Sequence, residues 1–152
     1  MTEIVLDASV VLKWFAGRNE DREAEALAVR AAYEAGRIAV VVPTLLALEI
    51  VNIAARRWMW GEAAVVELAA DLDDLGFEWR EAEPERIARW TATGLTAYDA
   101  AYVALAEEVR APLITDDRLI LERAPAIARA LTDWPPMEDE GARGGATRRR
   151  RR

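Results

Sequence analysis

The stretch Ile4-Val5-Leu6-Asp7-Ala8-Ser9-Val10-Val11-Leu12-Lys13-Trp14-Phe15 decides the fold. Three consecutive aliphatic residues stop at an acid, and Ser9 then offers an N-cap to a second apolar run, which predicts a strand, a tight turn and a helix. The same alternation continues outward. Glu20 to Tyr33 carries Ala24, Leu27, Ala28 and Ala31 at helical spacing, and Gly36 closes it. Ile38 to Val42 is an unbroken apolar run of the kind a strand buried on both faces shows; Pro43 and Thr44 end it and open a third helix running to Met59.

Beyond Gly61, the residues from Glu62 to Leu75 predict an amphipathic helix ending at Gly76, Phe77 to Arg80 a short strand, and Glu83 to Thr93 a further helix. Thr96-Ala97-Tyr98-Asp99 has the form of a capping box opening a helix to Val109, and after Pro112 the strand Leu113-Ile114-Thr115 stops at Asp116 and Asp117. Short strands alternating with longer helices give an α/β fold, a mainly parallel sheet wrapped by helices.

The chain has 152 residues, 53% apolar and 31% charged, enough for one core and too few for two ordinary domains. Residues 1–134 are read as one domain. From 135 to 152 the sequence turns to Pro135-Pro136, three acids, three glycines and the run Arg148 to Arg152, which is expected to be a flexible tail. Formal charge is -7, from 20 basic and 27 acidic residues; 20 less the five terminal arginines leaves 15 against 27, or -12. Such a body repels polyanions on average, so nucleic-acid chemistry would need cations or a local basic patch. With no long apolar span and no basic-then-apolar leader, the chain is expected to be cytoplasmic and to avoid membranes.

Cysteine and histidine are both absent. Their absence excludes disulfides, thiolate zinc sites and the Ser-His and Cys-His nucleophile systems, leaving carboxylate, hydroxyl, lysine or tyrosine chemistry around a hard cation with oxygen ligands. In an open α/β sheet such chemistry gathers beyond the carboxyl ends of the strands. Two strands end there in acids, Asp7 and the pair Asp116-Asp117, although an aspartate after a strand also serves simply to cap the next helix. Glu49 and Asn52 are the polar residues of an otherwise apolar helical stretch and share a face; the alternative is a solvent stripe continuing to Arg56. A helix that apolar is expected to be packed on most sides, so its carboxylate needs a partner or a metal. Asp99 stands in the first turn of its helix, where capping and crevice roles are compatible. Carboxylates converging in one crevice repel by ~4 kcal/mol per close pair at an effective dielectric near ~20, which calls for a cation such as Mg²⁺ or Mn²⁺.

The segments Leu6 to Phe15, Leu48-Glu49-Ile50-Val51-Asn52, Thr96 to Ala106 and Leu113-Ile114-Thr115-Asp116-Asp117 together resemble, in order and separation, a PIN domain of the VapC toxin type, over residues 1–133. The resemblance implies a three-layer α/β/α sandwich and a Mg²⁺- or Mn²⁺-dependent endoribonuclease, the toxin of a toxin-antitoxin pair. It further implies a homodimer, silenced by a cognate antitoxin that reaches into the acidic crevice. Carried over, the catalytic and metal-binding acids fall on Asp7, Glu49, Asp99 and Asp117. Asp116 fills a variable position, open between a cap, an auxiliary metal ligand and the true fourth acid. Ser9, Asn52 and Thr115 match neighbouring polar positions that support the acids or contact substrate. Basic residues near the crevice are limited to Lys13, Arg56 and Arg118. Trp14, Trp58 and Trp60 are candidates for a groove receiving an antitoxin helix or a second copy, against plain core packing.

Rival classes fare worse. A phospho-accepting receiver needs a lysine after a late strand, and Lys13 is the only lysine; a haloacid-dehalogenase phosphatase needs an acid where Ser9 stands. A catalytically silent PIN-like module that binds RNA or protein stays open beside the enzyme.

Overall fold

The computed structural model describes residues 1–17 and 20–135. Its strands are β1 (Thr2–Leu6), β2 (Ile38–Val42), β3 (Glu78–Trp79), β4 (Leu113–Thr115) and β5 (Ala128–Ala130), all parallel in the order β3-β2-β1-β4-β5. The helices are α1 (Ala8–Val11), α2 (Glu23–Glu34), α3 (Leu45–Arg56), α4 (Glu62–Asp74), α5 (Pro84–Thr91), α6 (Ala97–Val109) and α7 (Arg118–Arg123), with 3-10 turns at Leu12–Trp14 and Leu131–Asp133.

Side chains of successive strand residues point to opposite faces, so Ile4-Val5-Leu6, Val40-Val41-Val42 and Leu113-Ile114-Thr115, buried without interruption, require cover on both sides. Helices supply it: α6 packs on β1 and β4, and α2 on β2. From Ala100 to Ala106, α6 is buried at every position around the helix. Each fully buried aliphatic side chain, such as Ile50 or Ile114, contributes roughly 1.5–3 kcal/mol. At the end of α2 the chain turns into β2 within three residues. Gly36 makes that possible at φ +69, with the Arg37 N–H donating to Ala32 O at 3.0 Å.

The sheet grows both ways from β1, through β2 to β3 on one side and through β4 to β5 on the other. Chain connections therefore diverge at the carboxyl ends of β1 and β4, opening a crevice there. The two strands run in register with Leu6 beside Ile114, and the Asp7 N–H continues the ladder to Ile114 O at 3.1 Å. This pairing fixes the first and last acidic segments side by side although more than a hundred residues separate them in sequence.

Several sequence expectations are corrected. Ser9 is not a cap: α1 begins at Ala8, so Ser9 lies inside the helix with its hydroxyl aimed at Asp7. The third helix stops at Arg56 rather than Met59, which adopts φ +58. It is also less enclosed than its composition suggests, burying the stripe Leu46, Ile50 and Ala54 while Leu48 stays 69% exposed. Neither α7 nor β5 stood out in the sequence, because both are short and β5 is Ala-Arg-Ala. Trp14 belongs to the core, with its indole N–H donating to Ala26 O at 2.8 Å. Trp58 and Trp60 lie 5.2 Å apart, partly buried against the core. The terminal segment from Pro136 onward, including its arginines, lies outside the described residues. Among the described residues no helix is long and apolar enough to cross a membrane.

Candidate active site

Asp7 follows the last residue of β1 and is 5% exposed. Two hydroxyls converge on its Oδ2, Ser9 Oγ at 2.6 Å and Thr115 Oγ1 at 2.9 Å. Thr115, the last residue of β4 and fully buried, also accepts the Asp117 N–H at 3.0 Å, while Ser9 Oγ accepts the Asp116 N–H at 3.0 Å. Thus two small side chains tie both strand ends into one polar knot. Burial pushes the Asp7 carboxyl above its ordinary value, the Ser9 and Thr115 hydroxyls oppose that, and the charge of Asp117 adds to it.

Asp117 caps α7, its Oδ1 accepting the Ile120 N–H at 3.0 Å, so the capping role and a place at the crevice coincide. The same holds for Asp99 in α6. Its N–H donates to Thr96 Oγ1 at 3.1 Å, as the capping pattern requires, and its carboxyl is pushed up to about 6 by burial, then by Asp117 and Asp7. Glu49 of α3 is half-buried and pushed up to about 7, chiefly by burial, with Asp7 and Asp99 adding repulsion. Tyr102 opposes the shift by donating to Glu49 Oε2 at 2.7 Å. Burial and the facing carboxylates drive the Tyr102 phenol far above its usual range, so it stays a proton donor.

The four expected acids therefore sense one another from β1, α3, α6 and the β4–α7 junction. Asn52 does not join them; it lies exposed on α3. Sequence reading missed Tyr102, whose phenol is silent in an apolar helical pattern, and Arg22, which sits before α2 at φ +58. Asp116 faces cations rather than the other acids. It pairs with the Arg22 guanidinium through Nε at 2.5 Å and Nη2 at 2.8 Å, and with Lys13 Nζ at 3.4 Å. Lys13 is correspondingly buried, and Arg56 and Arg118 are exposed.

A protein-family comparison matches the PIN domain over residues 4–126. The chain belongs to the PIN domain family. Among solved structures it is similar to the crystal structure of PAE2754 from Pyrobaculum aerophilum, with a TM-score of 0.62 and 23% identity over 86% of this chain and 90% of that one. That likeness is one of fold. Comparison with curated proteins gives no match. PIN domains are generally metal-dependent nucleases that bind RNA, a hydrolase chemistry.

These four acids fit a hard divalent ion in donor chemistry. All donors are oxygens, and burial with mutual repulsion raises the proton affinity of Asp7, Glu49 and Asp99, the electrostatic load that a cation relieves. The hydrogen bonds described engage Oδ2 of Asp7, Oε2 of Glu49 and Oδ1 of Asp117, leaving a second oxygen on each that these contacts do not use. As placed, however, no three acids among the described residues close to metal-holding distance. A shared ion would need their side chains to stand closer than they do here.

Proposed function

We propose that this PIN domain is a Mg²⁺- or Mn²⁺-dependent endoribonuclease. One observation carries the reading: carboxylates delivered by four separate elements meet at the switch point of the sheet, where Asp117 and Asp7 raise the proton affinity of Asp99, and Asp7 and Asp99 raise that of Glu49. Asp7, Asp99 and Asp117 would hold the ion, with Glu49 beside them. When bound, the ion supplies an acidified water and charge neutralisation at phosphorus. Ser9 and Thr115 fix the Asp7 carboxylate, and the Tyr102 phenol fixes Glu49. Glu49, held by Tyr102 beside the other acids, would take the proton of the attacking water as the phosphodiester opens to a 3′-hydroxyl and a 5′-phosphate. Asn52, exposed one turn beyond Glu49, is left as a substrate contact.

The role of toxin in a VapBC-type pair rests on the resemblance of the four sequence segments, and with it a cognate antitoxin, a homodimer and a cytoplasmic setting. The Trp58–Trp60 face, beside the groove lined by Phe15, Gly61 and Ala64, is the surface offered to such a partner.

A second reading, an RNA-binding module without turnover, is favoured by the spacing of the acids, none of which meets two others at coordinating distance. Asp7→Asn decides between them. Asparagine keeps an acceptor for Ser9 and Thr115, so the fold persists, while Mn²⁺-stimulated RNA cleavage is expected to fall at least ~100-fold. The Mn²⁺-induced rise in Tm, worth about 2.7 kcal/mol at ~100 times Kd, should fall with it. Cleavage unchanged in the folded variant removes Asp7 from the mechanism; wild-type chain that binds RNA, takes up no Mn²⁺ and cuts nothing is the silent module.

A further inference from the structure

The ion cluster beside the crevice holds a guanidinium with donors to spare. Lys13, 6% exposed, already neutralises Asp116 from below, yet Arg22 adds a second, bidentate cation from the surface side. That cation is held at a residue whose backbone is in the left-handed region, a conformation that favours glycine and that clusters at ligand clamps. We propose that Lys13, Asp116 and Arg22 form a phosphate-gripping rim, in which Asp116 is a positioning residue that aims the Arg22 guanidinium at an RNA backbone phosphate flanking the one that is cut. The proposal rests on the nuclease reading for its choice of RNA.

The donor count supports it. A guanidinium carries five N–H donors in a fixed plane. Asp116 takes two, through Nε and Nη2, and among the described residues Arg22 has no other acceptor, so three remain for a phosphate. Position agrees too. The Asp116 N–H donates to Ser9 Oγ, which donates to Asp7 Oδ2, so the rim stands one hydrogen-bonded relay from the buried acid. Lys13 is too enclosed to meet substrate, and its part is to hold Asp116 in place for Arg22.

The test is binding of a labelled single-stranded oligoribonucleotide to the full-length chain in EDTA, as a function of salt, for wild type, Arg22→Ala and Arg22→Lys. Arg22→Ala should weaken binding about tenfold and lower the slope of log affinity against log salt by about 0.7, one phosphate contact on a single strand. Arg22→Lys should restore the slope while recovering only part of the affinity, because an ammonium cannot keep the bidentate grip on Asp116. In cleavage assays the loss should appear in KM while kcat holds, with the Mn²⁺-induced rise in Tm unchanged. A folded Arg22→Ala variant with wild-type affinity and slope overturns the rim, as does an Arg22-dependent preference for an Asp/Glu-rich peptide over RNA. Arg22-dependent RNA binding by a wild-type chain that never cuts RNA would sink the nuclease reading and leave the rim standing.

Discussion

The rim built on Asp116 and the crevice reached by Asp117 start from adjacent residues at one strand end, yet their electrostatics are opposite. Asp116 faces two cations and is 16% exposed in its side chain, whereas Asp117 faces Asp7 and Asp99 and adds to their repulsion. Extended backbone at this junction sends the two side chains to different sides, one toward Lys13 and Arg22 and the other toward α6 and the start of α7. Residue type is identical in the two regions; partners decide what each carboxylate does.

Exchanging charge for amide at the two neighbours should separate the regions most sharply. Asp117→Asn keeps a cap for Ile120, so it should leave folding stability intact and lower Mn²⁺-dependent kcat at least ~100-fold. Asp116→Asn strands the buried Lys13 ammonium, so it should cost about 2 kcal/mol in urea unfolding while most of kcat survives. Equal loss of kcat in both variants would merge the rim with the crevice.

A smaller effect is expected where the regions are stitched together. Thr115→Val preserves shape but removes the hydroxyl that serves both Asp7 Oδ2 and the Asp117 N–H, and should destabilise the chain by about 1–3 kcal/mol. Urea unfolding measures this; a loss indistinguishable from zero would mean that the knot is not what holds the two strand ends together.

The smallest effect is one of pH and belongs to the crevice alone. Glu49 and Asp99 titrate at about 7 and about 6 in the folded chain, above their ordinary values of 4.5 and 3.8. Because both are raised, protonation favours the fold: the gain is complete below the ordinary values and is lost as pH rises through about 6 to about 7. The urea midpoint in EDTA should therefore fall between about pH 5 and about pH 8, and Glu49→Gln should flatten that fall. A Glu49→Gln profile parallel to wild type would remove Glu49 from the repulsive set.

Much of this was legible in the chain. The alternation of short aliphatic runs with helical spacing announces the α/β fold, and the acids Asp7, Asp99 and Asp117 sit where strands end or helices begin. Glu49 was legible as a lone carboxylate in an apolar stretch. Less was legible wherever contact rather than pattern confers meaning. Tyr102 reads as one more apolar helix position until α6 is laid against α3, and Arg22 reads as one charge in a charged segment until it meets Asp116 across 94 residues. The short β5 carries no alternation long enough to register, since its place comes from pairing with β4.

The sequence by itself determined which residue types could do chemistry, since a chain without cysteine or histidine has only oxygen donors for a metal, and it determined the strand ends on which two of those donors, Asp7 and Asp117, would stand. Only the tertiary structure decided which of two adjacent aspartates would face cations and which would face acids. Periodicity along a chain is a local property set by backbone geometry, whereas electrostatic environment is a sum over neighbours that the chain brings together only when the sheet closes and its crossovers pack.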